Sequence, residues 1–189
     1  MTMRTTENML RPVLVGFALP EELLLEVIRL NGDLDRSRID FEQQIPHVTL
    51  WMGFVKERQV TPLNLGLHKV FHEVSVQTQV KDLNKFENQF GSVWSIDIQM
   101  NRSFHLLQNR VHHFFEPFRE HAIDMHGFDQ TTVDYINRFE SKSLDNYDPH
   151  ITIGFGSKCK VMEVKQVVTL TDLQMFDMGN YCTCISQIQ

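Results

Sequence analysis

Apolar and polar positions alternate with the two-residue period of a half-buried strand over several stretches of this chain. Over two others they follow the helical period of about 3.6. Residues 12–19 form a short unbroken apolar run, read as a buried strand. Pro20, Glu21 and Glu22 then suit a helix start, and Leu23, Leu24, Val27, Ile28 and Leu30 keep helical spacing until Asn31 and Gly32 stop it. Residues 33–40 are charged and read as a loop. A strand comes next, over about 45–55. Residues 56–66, with Thr61, Pro62 and Gly66, read as a connector. Residues 72–78 and 91–100 alternate again and predict an antiparallel meander, with a polar turn over 82–90. Phe104, Leu107, Val111, Phe114 and Phe115 predict a second amphipathic helix, capped by Ser103 or Asn101 and ended near Pro117. Residues 120–148 are long and polar, with a helical stretch over 133–139, and are placed to cover a cleft. Strands are predicted at 150–155, 167–171 and 181–185, with a turn over 177–180. Residues 1–10 read as a loose tail.

Two of the predicted strands carry the same phrase. Pro46-His47-Val48-Thr49-Leu50 and Pro149-His150-Ile151-Thr152-Ile153 both read Pro-His-aliphatic-Thr-aliphatic, about one per half of the 189-residue chain. On a strand, alternate side chains share a face. His47 therefore stands beside Thr49 and His150 beside Thr152, with the aliphatic residues turned the other way. One such triplet reads as an ordinary strand histidine beside a packing threonine. Two, with matching flanks, describe two imidazoles and two hydroxyls that could meet around one group. Imidazole changes charge near neutrality, so one ring can take a proton while the other gives one. Hydroxyls can donate to phosphoryl oxygens as their charge grows.

The paired motifs resemble those of the 2H phosphoesterase superfamily, which includes the 2′-5′ RNA ligase-like proteins and cyclic nucleotide phosphodiesterases. The resemblance covers most of the chain. It implies an α+β fold of two pseudo-symmetric lobes, each an antiparallel sheet with a helix on its outer face, around a central cleft. It also implies one bilobal domain over residues 1–189. The activity implied is metal- and cofactor-independent cleavage of a 2′,3′-cyclic phosphate or 2′-5′ phosphodiester on a nucleotide or RNA end. His47 and His150 would be the acid–base pair, in either order, and Thr49 and Thr152 would hold phosphate. Strand, Ala-Leu-Pro-Glu-Glu, then helix is also how such proteins open, which makes Phe17 a candidate wall of the cleft, while its place in the apolar run reads as core. Two other readings stay open: a silent nucleotide- or RNA-binding module of the same fold, and a metallohydrolase.

Composition narrows the partners. Hydrophobic residues make up 42% and charged residues 22%, enough for a core and too ordered a balance for a disordered chain. The net charge of −6 argues against long duplex nucleic acid and for a small nucleotide or RNA terminus. Three cysteines (Cys159, Cys182, Cys184) with no framework spacing fit a reducing compartment. No signal-like start and no long apolar run occurs, so a cytoplasmic monomer is the expectation. His105, His112, His113, His121 and His126 cluster in sequence, but no metal-ligand signature accompanies them, and a solvated helix face is preferred. Cys182 and Cys184, if on one strand, would share a face and pack in the core. Tyr147 could stack on a base or simply pack. Lys158 and Lys160 could assist a phosphate but read as loop residues.

Overall fold

The computed structural model describes residues 9–34, 39–139, 147–156 and 166–189. It is an α+β structure with two four-stranded antiparallel sheets. The first sheet has β1 (Leu10–Ala18) at its centre, β2 (His47–Lys56) at one edge, then β7 (Leu173–Met178) and β8 (Cys184–Gln187), in the order β2-β1-β7-β8. The second has β5 (His150–Phe155) at its edge, then β4 (Gly91–Ile98), β3 (Val76–Asn88) and β6 (Gln166–Leu170). Each motif strand is therefore an edge strand, and β2 packs against β5.

The plan repeats. β1, α1 (Glu21–Gly32) and β2 in one lobe match β4, α3 (Arg102–Phe115) and β5 in the other. The helices cross between lobes: α1 lies against β5, and α3 against β2 and β3. One core cluster consequently draws on both sheets and three helices, including Val15, Leu23, Leu50, Leu67, Phe115 and Ile151. Asn101 caps α3 by accepting from the Phe104 N–H at 2.9 Å, as its residue type predicts.

Several expectations are corrected. The connector expected over 56–66 is, from Glu57 on, part of helix α2 (Glu57–Val70), with Pro62 inside it. Its buried face of Val60, Leu63, Asn64 and Leu67 packs on β1, β2 and β7, and that burial outweighs the lost proline hydrogen bond. Residues 82–88 do not turn. They continue β3, which pairs with β6 over residues 76–80 and with β4 over most of its length from Val80 to Asn88. The expected loose tail is already strand at Leu10; residues 1–8 lie outside the described part. Strand β7 has no counterpart among the predicted strands. Tyr181 and Cys182 do not open a strand but sit in a 3₁₀ turn, so β8 begins at Cys184. The helical stretch near 133–139 is α4 (Gln130–Arg138).

Candidate active site

His47, Thr49, His150 and Thr152 all line one cleft of about 460 Å³ between the sheets. Local strand geometry sets the pairing within each motif; a bulge in each strand resets the faces beyond it. In the first sheet Val15 faces Trp51 but Gly16 faces Thr49, so Leu50 is the extra residue. In the second, Trp94 faces Gly154 but Ser95 faces Thr152, so Ile153 is extra. Each bulge falls on the last aliphatic residue of its motif. It shifts the alternation by one position. Val48 and Leu50 point to the helix-covered core, and beyond the bulge Trp51 does so as well, while Met52 turns to the cleft. In β5 the same shift sends Phe155 to the cleft. The Ile153 carbonyl accepts from Asn31 Nδ2 at 2.8 Å, a bond from the end of α1.

The two imidazoles are held alike. His47 Nδ1 donates to the Ile45 carbonyl at 2.9 Å, and His150 Nδ1 donates to the Asp148 carbonyl at 2.9 Å. A carbonyl only accepts, so Nδ1 carries the hydrogen in both rings, and Nε2 is the nitrogen left to exchange protons. The surroundings differ. Burial, opposed by the Ile45 hydrogen bond and joined by the nearby His150, pushes the His47 pKa down to about 4. The ring keeps a small exposed surface, but it sits at the foot of the cleft where a charge is poorly hydrated. The cross-strand partner of His47 is Ala18, whereas that of His150 is Asp97. Asp97 lines the cleft and accepts from Asn84 Nδ2.

Tyr147 also lines the cleft, and its hydroxyl donates to the Thr49 backbone carbonyl, tying the approach to β5 onto β2. One face of its ring stacks on Phe104, with centroids 6.3 Å apart. Phe17 is a correction. It is fully buried, packs edge-on against Phe104 at 6.2 Å and does not line the cleft. It stands on the helix side of β1 with Val13 and Val15, so it supports the wall from behind. The histidine cluster is also corrected in part: His112 is buried beside Glu116, with 3.5 Å between Nε2 and the carboxylate. His113 Nδ1 donates to the Asn109 carbonyl at 2.7 Å. Among the described residues no group of three or more His, Cys, Asp or Glu side chains is placed to hold a metal ion. Cys182 and Cys184 are free thiols at the cleft, and burial pushes both pKa values up. Cys159, Lys158 and Lys160 lie outside the described residues. No described helix is long and apolar enough to cross a membrane.

Solved structures share this arrangement of sheets and helices. TT0787 of Thermus thermophilus superposes with a TM-score of 0.63 at 14% identity, covering 94% of this chain and 95% of that one. Escherichia coli LigT complexed with 3′-AMP gives a TM-score of 0.60 at 12% identity, over 96% and 97% of the two chains. A protein solved as a phosphoesterase gives 0.56 at 13% identity, over 95% of each. The fold is shared with LigT. At such identities the likeness is one of architecture. In sequence, no family model matches the chain and no curated protein does. Gly16, Asn31, Asp97 and the Tyr147 tie carry no sequence signal as parts of the site, beyond Tyr147 lying close before His150.

Proposed function

We propose that this protein is a metal-independent phosphodiesterase acting on a nucleotide or RNA end that carries a 2′,3′-cyclic phosphate or a 2′-5′ linkage. The observation that carries this reading is the convergence of both motifs on one cleft, each ring presenting Nε2. The fold shared with LigT, which has been solved with 3′-AMP, and with a phosphoesterase adds support.

The two rings must act in opposite protonation states. His47, kept neutral by burial, is the base. Its Nε2 takes a proton from water as the water oxygen bonds to phosphorus. The bond from phosphorus to one ribose oxygen breaks, and His150, in its protonated form, delivers a proton to that oxygen. Thr49 and Thr152 donate hydrogen bonds to the non-bridging oxygens, whose charge rises in the transition state.

The test is turnover of nucleoside 2′,3′-cyclic phosphates and 2′-5′ oligonucleotides by purified protein with and without a chelator. His47→Ala and His150→Ala are each expected to lose roughly 10²–10⁴-fold in kcat, and the chelator to change nothing. The acid limb of kcat/KM is expected near pH 4 and to vanish in His47→Ala. Undiminished turnover in either variant would defeat the two-proton scheme.

A further inference from the structure

Each histidine of the cleft is backed by a phenylalanine from the third strand of its own sheet. His47 lies 6.2 Å from Phe176 on β7, and His150 lies 6.0 Å from Phe86 on β3. The pseudo-symmetry fails in one respect. Phe176 is 1% exposed, but Phe86 is 37% exposed. An aromatic ring that is core on one side of the molecule is thus left open beside a motif histidine on the other.

From Phe86 the cleft continues along further rings. Phe90, in the turn after β3, and Phe155, at the end of β5, both pack against Tyr181, with centroids 5.6 and 5.5 Å apart. Tyr181 and Cys182 both hold left-handed backbone, with φ of 60° and 56°. Two successive residues with side chains keep that conformation only where their surroundings impose it, and such positions gather at ligand sites. Here the Tyr181 N–H donates to the buried Thr132 hydroxyl at 3.1 Å, which fixes the turn. Among the described residues lining the cleft there is no lysine or arginine; the carboxylates are Asp97 and Asp148. The surface at this end suits an uncharged planar ring. A volume of about 460 Å³ lies within the usual range of small-ligand sites.

Resting on the phosphodiesterase reading above, we propose that the Phe86–Phe90–Tyr181 end of the cleft is a subsite for a single nucleobase. The substrate is then a nucleotide recognised through stacking of its base beside the phosphodiester group.

The experiment compares adenosine 2′,3′-cyclic phosphate with base-free glycerol 1,2-cyclic phosphate, using wild type, Phe86→Ala and Phe86→Leu. Phe86 is exposed enough to be truncated without a core cavity, and leucine keeps bulk while removing the π face. Stacking on an aromatic side chain predicts that the ratio of kcat/KM, nucleotide over base-free ester, falls roughly 5- to 150-fold in both variants. An equal loss on both esters would make Phe86 a support for His150 alone and overturn the subsite. Calorimetry with adenosine, which has no phosphate, is the second arm. Binding by wild type that is lost in Phe86→Ala supports the subsite; no binding, or equal binding, overturns it. If wild type turns over neither ester, the cyclic-phosphate reading fails, and the adenosine arm still decides the subsite by itself.

Discussion

At the scale of single residues, His47 and His150 occupy the same place in the same motif, yet their settings part them. The Nδ1 bonds to Ile45 and Asp148 are local, made two residues back along the chain, and so belong to each motif as a unit. The shift of His47 to about 4 has a different origin, in the atoms packed around it. It has a consequence for stability. An unfolded His47 titrates near the ordinary value of 6.5. Between about 6.5 and about 4 the unfolded chain therefore holds a proton that the folded one does not. The contribution is fully present above the upper value and is lost as pH falls toward the lower. Urea unfolding at pH 7.5 and pH 5 is expected to show a loss on acidification that shrinks in His47→Gln. An unchanged difference in that variant would place the acid sensitivity elsewhere.

At the scale of elements, the two bulges matter most. Their positions, at Leu50 and Ile153, are set by pairing with β1 and β4. Gly16 sits where the first bulge brings strands together: a Cβ there would lie 2.4 Å from the Val48 carbonyl oxygen. Gly16→Ala is expected to cost about 1–3 kcal/mol of stability by forcing the strands apart. Because His47 and Thr49 flank Val48, kcat is expected to fall with it. Chemical denaturation and turnover on the same preparation check both; unchanged values in both would mean that β2 yields freely at this point. The elements that the sequence pattern does not reveal share a reason as well. Beyond its pairing with β6, β3 becomes an edge strand paired with β4 alone, most of its residues are exposed, and its sequence shows no alternation. Strand β7 lies between β1 and β8 and buries most of its residues, so it shows none either. In α2, the proline and glycine that suggest a connector are overridden by packing on the first sheet.

At the scale of the whole molecule, the first sheet joins strands from both ends of the described chain, and the second takes the middle. The helices crossing between lobes merge their interiors into one cluster. Each sheet holds one of the two tryptophans, Trp51 in β2 and Trp94 in β4. A core shared in this way is expected to unfold as one unit. Trp51→Phe and Trp94→Phe, each leaving one reporter, are expected to give coincident fluorescence transitions in denaturant. Two separated midpoints would mean that the lobes are independent units.

The sequence by itself determined the two motifs, the strand phase that sets each histidine beside its threonine, most strands and the amphipathic helices other than α2. These are short-range properties, written in a period of two or of about 3.6 residues. Only the tertiary structure decided that both motif strands are sheet edges facing one cleft, that Phe17 lies behind the wall, and that burial lowers the pKa of His47. Those outcomes depend on pairings and burial between residues far apart in the chain, which no local pattern encodes.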